Sequence, residues 1–547
     1  MGGRVPLGAC LVALVPWLAS PTQPHACGEA CGAAFASRFH SDTCVVNGTR
    51  FSWDVQPHFH VSDACFGEND PSGLFYVDGV FHAMWQSHTQ YVHSPPYANG
   101  DVGISLGHAV SEDLVTWRQV SNALWPDAWF SAVSVYDGSV TLVDGAPQLV
   151  VAGLTLNSTT PFCFGFARPT DPTDPALEDW AWAGHVCGDG TLAPGDSPST
   201  AWRASSGEWR FVDGFGHVYV SDDFEAWAPA NGSFAAGICQ DFYPVPGAAP
   251  NASLYVDAGA TSYAIVRYAE GGPGDAGTKA PAPGGTVASL ASVGGAPRHD
   301  FGGFYAPKSF DAGGRRLAVG WLRPEGVLGR AFDGERDHVV DGLRFKGNTQ
   351  SLVREVKYEP RLGMLTYLPV AEMAGLRAGL LANASSLYVD GVEALDVPRL
   401  LANQSEIHVS FAIPSSPARL SVRVMTDDGG AGTDFYVAFE PSAEAAWTVE
   451  AGSADARRSA NQTARLPLLA TDATIDVLLY VDHTVVEAFF QGGRVAVATQ
   501  LPLEALLPTG GNGRQGVALL AAPAATAQVA VWRLASIWDD VATHGKA

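Results

Sequence analysis

The chain has 547 residues, more than one hydrophobic core usually accommodates, so two or more domains are expected. Charged residues make up only 16%, while glycine and proline number 60 and 36, a turn-rich composition typical of all-β folds. The net charge of −24 repels nucleic acid and anionic membranes, so neither is an expected partner, and a neutral or cationic ligand is favoured. Solubility is the simpler explanation of this charge.

The first 26 residues have the pattern of a secretory signal followed by the start of a mature chain. Arg4 supplies a weak positive region, residues 7–18 an apolar stretch, and Ala19 and Ser20 a cleavage site. The stretch is too short to span a bilayer, and we expect no membrane span elsewhere. Seven glycosylation motifs agree with secretion: Asn47, Asn157, Asn231, Asn251, Asn383, Asn403 and Asn461. We therefore expect a glycoprotein that is secreted or held in a secretory-pathway compartment such as the vacuole.

The cysteines predict disulfides and no metal finger. One of the eight, Cys10, lies in the signal, and the odd number that remains leaves at least one free thiol or intermolecular link. Cys163 with Cys187 is the first expected pair. Cys27 and Cys31 are spaced like metal ligands, but no second pair follows at metal-finger spacing. We expect no metal and no cofactor.

Five segments share one pattern, in which an apolar strand, a glycine-containing turn and a second strand follow one another. Their turns fall at Asp78-Gly79, Asp144-Gly145, Gly207, Gly259 and Gly313. Alternating apolar residues around such turns are typical of β-hairpins. The turns recur every 52 to 66 residues, about the length of one four-stranded blade. The pattern predicts a five-bladed β-propeller over residues 50–370.

The pattern of apolar and polar residues changes after the fifth repeat. Residues 371–381 have helical spacing and good helix formers, which predicts a linker helix. Residues 382–540 contain seven alternating β segments, typical of an antiparallel β-sandwich. The predicted fold is therefore all-β, a five-bladed β-propeller followed by a C-terminal β-sandwich.

Acidic residues recur at the predicted inner strand of each blade. In a propeller these strands face the axial channel, so their polar side chains converge. The residues are Asp70, Asp137, Asp196, Asp241 and Asp300. Each could instead be a turn, cap or blade-bridging residue. Aromatic residues that could stack on a sugar lie in nearby segments, namely Trp85, Trp125, Trp129 and Tyr136.

Residues 67–73 read Gly-Glu-Asn-Asp-Pro-Ser-Gly, which resembles the Trp-Met-Asn-Asp-Pro-Asn-Gly signature of glycoside hydrolase family 32, the invertases and fructan hydrolases. The resemblance makes Asp70 the nucleophile and Asn69, Gln86 and Asp300 substrate-binding residues. Further motifs of that family follow in order, and the resemblance covers residues 51–538. They are GHAVSEDLVTW (107–117), PSTAW (198–202), DFYPV (241–245), DFGGFYAPKSF (300–310), TQSLVREV (349–356) and VDHTVVEAFFQGGR (481–494).

The chain departs from this family where the chemistry is done. The acid/base Glu of the family is Ile238 here, and the transition-state stabilising Asp is Ser197. A Ser of the second blade is replaced by Asp137. An aliphatic side chain cannot donate a proton, so Asp241, Asp137, Asp196 or His299 would have to supply it. Because neighbouring residues of a strand point to opposite faces, Asp196 is expected to point away from Ser197 and from the pocket.

Three functions follow from this pattern. The first is a secreted β-fructofuranosidase acting on sucrose or fructans by a retaining mechanism with Asp70 as nucleophile, its small carbohydrate bound in the propeller channel. The second is a catalytically impaired pseudoenzyme that binds fructosides or regulates an active relative. The third is an interaction module with a vestigial pocket. A carboxyl or imidazole within about 6 Å of Asp70 distinguishes the first from the others.

Overall fold

The structure is a computed structural model of the chain. It describes residues 45–46, 49–50, 57–63, 67–88, 103–155, 162–187, 195–230, 232–234, 237–249, 253–269, 285–289, 297–323, 338–340, 343–345, 349–426, 432–441, 447–455, 462–501 and 516–537. The predicted signal over residues 1–26 lies outside the described residues. Within the described part of the chain, no helix has the length and apolar character needed to cross a membrane.

Five antiparallel sheets, one per repeat, form the predicted five-bladed propeller. Blade 1 contains β3 (Gly67–Val77), β4 (Val80–His88), β5 (Ser105–Ser111) and β6 (Arg118–Leu124). Blade 2 contains β7 (Ser134–Val143), β8 (Ala146–Leu154), β9 (Phe162–Pro169) and β10 (Trp180–Cys187). Blade 3 contains β11 (Trp202–Arg203), β12 (Trp209–Val212), β13 (Val218–Ser221) and β14 (Ala228–Ala230).

The other two blades each carry an additional short strand. Blade 4 contains β16 (Asp241–Pro244), β17 (Leu254–Ala258), β18 (Tyr263–Ala269) and β19 (Gly285–Ser289), with β15 (Gly232–Ser233) pairing parallel to β19. Blade 5 contains β20 (Phe304–Ala312), β21 (Arg315–Leu322), β25 (Arg354–Glu359) and β26 (Met364–Pro369), with β24 (Thr349–Gln350) on β21. Two small sheets pair β1 (Val45–Val46) with β2 (Thr49–Arg50) and β22 (His338–Val340) with β23 (Leu343–Phe345).

The five predicted hairpins are confirmed, with one difference of position. In blade 1 the turn at Asp78-Gly79 places both residues at positive φ, 49° and 90°, which matches the twist of the flanking strands. Four of the turns join the first and second strands of their blade. The turn at Gly259 instead joins β17 to β18, the second and third strands of blade 4. The first hairpin of that blade turns at residues 245–249, whose Pro-Gly chemistry also favours a turn.

A recurring turn seats one tryptophan in each of the first three blades. The Asp113 carboxylate accepts hydrogen bonds from two backbone N–H groups, and the Trp117 indole donates to the Leu114 carbonyl at 3.2 Å. Trp180 and Trp227 repeat the indole bond three residues back, at 2.7 and 3.2 Å. Trp227 packs with residues of blades 2 and 3, so it covers the seam between these blades.

The linker is shorter than the predicted helix over residues 371–381. A 3₁₀ helix covers Ala371–Leu376, and from Arg377 the chain enters β27 (Arg377–Ala394), a long strand paired with the last strand. Gly375 and Gly379 weaken the helix that the spacing suggested, and pairing in the sheet satisfies the backbone instead. Another 3₁₀ turn covers Trp129–Ser131, and a one-turn α-helix covers Arg399–Ala402.

The C-terminal domain is the predicted sandwich, made from one continuous ten-stranded sheet. Its further strands are β28 (Gln404–Ala412), β29 (Ala418–Val424), β30 (Thr433–Pro441), β31 (Trp447–Asp455), β32 (Gln462–Arg465), β33 (Thr474–Asp482), β34 (Val485–Phe490), β35 (Val495–Gln500) and β36 (Val517–Leu534). The order is β32-β31-β30-β29-β36-β28-β33-β34-β35. β36 pairs with β29 through its first half and with β28 through its second, so it passes from one layer to the other. Side chains of both layers, such as Val437 and Val477, share one core.

The two domains pack against each other through a shared apolar core and backbone bonds. Phe59 and Phe310 of the propeller cluster with Phe489 of the sandwich. The segment that precedes β20 also bonds to β35, with the Phe301 and Gly303 N–H groups donating to sandwich carbonyls at 2.9 and 2.8 Å. This interface fixes blade 5 relative to the sandwich. Among the first strands of the blades, β3 contacts β7 and β20, and β20 contacts β16.

Candidate active site

Two acidic side chains occupy the same kind of bulge in neighbouring blades. In β3, Asn69 and Asp70 lie between the pairs Glu68–Ser87 and Pro71–Trp85, two residues opposite one. In β7, Tyr136 and Asp137 lie between Val135–Gly153 and Gly138–Val151 in the same way. A bulge of this kind re-aims its side chains relative to a regular strand and is common beside active sites. The equivalent bulge of blade 5 holds Ala306 and Pro307, which cannot ionise.

A chain of hydrogen bonds fixes the Asp137 carboxylate. Its Oδ2 accepts from the Ser197 hydroxyl at 2.6 Å, and its Oδ1 accepts from the Gln86 amide. Gln86 in turn accepts from the Asn69 amide at 2.6 Å, and the Asn69 backbone carbonyl accepts from Gln350 at 2.7 Å. Four of the predicted site residues (Asn69, Gln86, Asp137 and Ser197) are therefore joined in one network.

Asp70 lies beside this network and has a partner that the sequence reasoning missed. Its Oδ2 accepts from the Cys239 thiol, at an O–S distance of 3.5 Å, while Oδ1 is buried with no hydrogen-bond partner among the described residues. One ligand atom each from Asp70, Asp137 and Cys239 lie within 4.8 Å of one another. The odd number of cysteines in the mature chain was the sequence signal for a free thiol. Cys163 and Cys187 form the predicted disulfide, and Cys239 is free and buried.

Burial and repulsion between like charges raise the pKa values of Asp70, Asp196 and Cys239. Burial, followed by the Asp137 charge, raises the pKa of Asp70 well above its ordinary value. Burial, followed by the Asp70 charge, likewise raises the pKa of the Cys239 thiol. Asp196 is less deeply buried, and burial with the Asp137 charge raises its pKa to about 6. A carboxyl with a pKa near 6 can both hold and release a proton near neutral pH, as general acid catalysis requires.

Asp196 does not follow the strand geometry expected from the sequence. It precedes β11 in a segment without regular structure, and the next residue, Ser197, has a φ of 57°. The alternation of a strand therefore does not apply, and the Asp196 carboxyl lies close enough to raise the pKa of Asp70. Its backbone carbonyl is held by the Gly214 N–H at 2.9 Å, while its Oδ1 is buried with no partner among the described residues.

Asp241 and Asp300 have other partners. Asp241 accepts from the Ser309 hydroxyl at 2.6 Å, and burial raises its pKa while the Lys308 charge opposes the shift. Asp300 binds Arg354 at 3.0 Å and accepts from two backbone N–H groups at the sandwich interface. The structure therefore does not bring Asp300 into the Asp70 network, and its role in substrate binding stays a prediction.

The position that the family resemblance predicts for the acid/base residue carries an exposed aliphatic side chain. Ile238, next to Cys239, is 48% exposed. Phe215, which is 51% exposed, lies on a neighbouring loop. The two loops are joined by a 2.9 Å hydrogen bond from the Gly237 N–H to the Gly214 carbonyl. Neither side chain can transfer a proton. His299 is already bonded to the Tyr367 hydroxyl at 2.8 Å and the Gly259 carbonyl at 3.1 Å. Burial lowers the pKa of His299 to about 4, so it is neutral at pH 7.

The aromatic residues divide between core and surface. Trp85 is fully buried and its indole donates to Asp63 at 3.1 Å, so it is not available to stack on a ligand. Trp129 is 63% exposed and packs edge-on against His185. Tyr136 packs edge-on against Phe162 of the same blade. Trp129 is therefore accessible to solvent, and a role of this residue in stacking on a sugar stays a prediction.

Comparison with known proteins places both domains in one family. The model "Glycosyl hydrolases family 32 N-terminal domain" matches residues 58–360, and "Glycosyl hydrolases family 32 C terminal" matches residues 382–531. The chain is 31% identical over 424 residues to beta-fructofuranosidase, insoluble isoenzyme 6, of Oryza sativa subsp. japonica, covering 70% of this chain and 67% of the relative. It is 28% identical over 439 residues to acid beta-fructofuranosidase 1, vacuolar, of a Rosa hybrid cultivar, covering 72% and 68%.

Solved structures share the fold at low identity. Fructan 1-exohydrolase IIa from Cichorium intybus matches with a TM-score of 0.71 and 20% identity, over 89% of this chain and 98% of that one. A structure of that enzyme in complex with 1-kestose matches over the same shares with a TM-score of 0.70. Exo-inulinase from Aspergillus awamori matches with a TM-score of 0.63 and 18% identity, over 89% and 100%.

Proposed function

The chain belongs to glycoside hydrolase family 32, and from this membership we propose that it hydrolyses β-fructofuranosides, sucrose or short fructans, at Asp70. The observation that carries the proposal is the 2.6 Å hydrogen bond between Ser197 and Asp137. The carboxylate lost from the stabiliser position of blade 3 is supplied by blade 2, whose family Ser has become Asp137. The two substitutions amount to an exchange of hydroxyl and carboxylate across one blade seam, which leaves two carboxylates beside each other.

The retaining mechanism follows from the family resemblance, and the axial carboxylates are placed to serve it. Atoms of Asp70 and Asp137 lie within 4.8 Å of each other, so both carboxylates can act on the same sugar ring. In the proposed first step, ionised Asp70 attacks the anomeric carbon and the bond to the leaving oxygen breaks. Asp137, held by Ser197 and Gln86, stabilises the positive charge that develops on the sugar. Water then displaces Asp70 and releases fructose.

Asp196 is the proposed source of the proton for the leaving oxygen. Its Oδ1 has no partner among the described residues, and its pKa of about 6 leaves part of the population protonated near neutral pH. Asp137 is a poorer donor, because both of its oxygens already accept hydrogen bonds. Protonated Asp196 gives its proton to the leaving oxygen, and the resulting carboxylate takes one back from the attacking water.

The second candidate function is fructoside binding without turnover. Ile238 at the usual acid position and the raised pKa of Asp70 favour it, because a protonated Asp70 is a poor nucleophile. The site would then retain the hydrogen-bonding groups for a sugar but lack the proton transfers of hydrolysis. This candidate differs from the first in one measurable quantity, the release of fructose.

The deciding experiment incubates the purified chain with sucrose and with 1-kestose and measures fructose release and ligand binding. We expect hydrolysis by the wild type, its loss in Asp70→Asn, and a decrease of about 10²–10⁴-fold in kcat for Asp196→Asn. Asp311→Asn, an exposed carboxylate of blade 5, serves as the matched control and should retain full activity. Saturable binding with no fructose release by the wild type would establish the binding protein instead.

A gain-of-function variant separates a lost proton donor from a lost site. If the wild type binds but does not hydrolyse, Ile238→Glu restores a carboxyl at the acid/base position of the family and should create measurable hydrolysis. Asp70→Asn in the same background should abolish it. If neither binding nor restored hydrolysis is seen, the fructoside proposal is wrong.

We also propose that the chain works outside the cell or in the vacuole. The Cys163–Cys187 disulfide indicates an oxidising compartment. The rice relative is named an insoluble isoenzyme and the rose relative vacuolar. Fractionation of the source cells, with removal of N-linked glycans read as a mass shift, tests this location. A chain found in the cytosol without glycans would contradict it.

A further inference from the structure

The structure assembles a mixed carboxylate and thiol cluster from three different blades. Asp70 comes from blade 1, Asp137 from blade 2 and Cys239 from the segment of blade 4 that immediately precedes β16. One donor atom from each lies within 4.8 Å of the other two, and all three residues are more than nine-tenths buried. We propose that these residues form a binding site for a soft divalent cation of the zinc and cadmium type.

The distances fit two ligands of a common ion. A tetrahedral zinc ion with a Zn–S distance of about 2.3 Å and a Zn–O distance of about 2.1 Å places these two ligands about 3.6 Å apart. The Sγ atom of Cys239 lies 3.5 Å from Oδ2 of Asp70. The second oxygen of Asp70 is buried and has no partner among the described residues, so a lone pair remains for an ion on either oxygen.

Hydrogen bonds from neighbouring side chains orient the third ligand, Asp137. Ser197 and Gln86 donate to the two oxygens of Asp137, which fixes its plane and leaves each oxygen a further lone pair. Metal-binding carboxylates are commonly held by outer hydrogen bonds of this type. Three protein ligands also leave one position for water or an exogenous group, as in open zinc sites.

The charge around the cluster favours a cation. Asp196 adds a third carboxylate, and the cations whose charge acts on the ligands, among the described residues, are Arg323 on Asp70 and Lys308 on Cys239. The Lys308 ammonium donates to the backbone carbonyls of Pro198 and Gln240, at 2.9 and 2.8 Å. Within the described part of the chain, acidic groups therefore outnumber the cations that act on this cluster. The thiol selects soft ions over magnesium or calcium, which prefer oxygen ligands.

The sequence does not reveal these three ligands as a set, because they lie far apart along the chain. Asp70, Asp137 and Cys239 are separated by 67 and 102 positions, and only closure of the propeller brings them together. This inference goes beyond the proposed hydrolysis and does not rest on it, because cation binding is measured without sugar. A bound cation would occupy the carboxylates proposed to meet the fructoside.

The test is titration of the full chain with Cd²⁺ alone, followed through the ultraviolet thiolate-to-cadmium charge-transfer band. We expect a saturable band that Cys239→Ser removes. Asp70→Asn and Asp137→Asn should keep the band but weaken the Cd²⁺ affinity at least ~10-fold. Asp241→Asn is the matched control, since this buried carboxylate lies two positions from Cys239 and bonds to Ser309, and its affinity should stay within about twofold of the wild type.

Two results would overturn the cation site. One is an undiminished band in Cys239→Ser, which would place the thiolate ligand elsewhere. The other is an equal affinity in Asp70→Asn, Asp137→Asn and Asp241→Asn. If Cys239→Ser does not fold, as judged by circular dichroism, the comparison of the three Asn variants decides the question.

Discussion

Two buried charged clusters of this molecule contain similar residues but differ in how their charges are balanced. The axial cluster comprises Asp70, Asp137, Asp196 and Cys239. The interface cluster comprises His60, Asp300, Arg354, Asp482 and Glu487, between propeller and sandwich. In the interface cluster Arg354 bonds to both Glu487 and Asp300, and His60 bonds to Asp482 and Glu487 at 2.7 and 3.0 Å.

The interface cluster satisfies its charges within the protein. The Asp482 carboxylate also accepts the backbone N–H groups of residues 58–60, at 2.6, 2.8 and 3.1 Å, and so attaches the start of the propeller to the sandwich. In the axial cluster Asp70 and Asp137 accept hydrogen bonds, but no ion pair within 4 Å joins a carboxylate of the cluster to another described residue. A buried charge without a partner is costly, so the axial cluster is the one expected to serve a ligand.

The largest effect is expected on removing the cation of the interface cluster. Arg354→Met leaves Asp300 and Glu487 buried without their guanidinium, so the free energy of unfolding should fall by about 3–5 kcal/mol. Chemical denaturation measures this change. Arg361→Met removes the solvent-screened pair with Glu359 and should cause a far smaller loss of stability. Equal losses of unfolding free energy in the two variants would show that the buried bonds of Arg354 contribute no more than an exposed ion pair.

A smaller effect should appear in the pH dependence of stability. The pKa of His60 is raised to about 9 because the hydrogen bonds to Asp482 and Glu487 outweigh its burial. Its stabilising contribution is therefore complete below the unfolded pKa of 6.5 and is lost as pH rises through 9, roughly 3 kcal/mol in all. Unfolding free energies between pH 6 and pH 10 should fall more steeply for wild type than for His60→Gln. Parallel curves would contradict the assignment.

The smallest effect has the opposite sign and belongs to the axial cluster. The folded pKa of Asp196, about 6, lies above its ordinary value, so this carboxyl destabilises the fold once pH exceeds that ordinary value. Asp196→Asn should raise the free energy of unfolding at pH 7 by up to about 3 kcal/mol, with little gain below pH 4. Asp223→Asn is the contrasting control, because backbone hydrogen bonds lower the pKa of this exposed carboxyl and its loss should destabilise. If Asp196→Asn is instead less stable than the wild type, Asp196 stabilises the fold and the prediction is wrong.

The comparison also explains which predictions from sequence succeeded. The five turns predicted the blades because Asp-Gly and Gly-rich turns act locally, through backbone conformations that few other residues adopt. The motif that contains Asp482 and Glu487 was assigned to the sandwich, yet its contacts with His60 and Arg354 join residues more than 100 positions apart. The sequence groups Asp300 with the site by its repeat position and its motif, whereas the structure pairs its carboxylate with Arg354.

The sequence by itself determined the all-β fold, the family, and Asp70 as the carboxylate that matches the family motif. Hairpin turns and family motifs each consist of consecutive residues, so the sequence shows them directly. Tertiary structure alone decided that Ser197 meets Asp137, that Cys239 lies against Asp70, and that Asp196 joins the same electrostatic cluster. These contacts depend on closure of the propeller and on local departures from strand geometry, such as the bulges of β3 and β7 and the positive φ of Ser197. No local pattern of residue types encodes such distances.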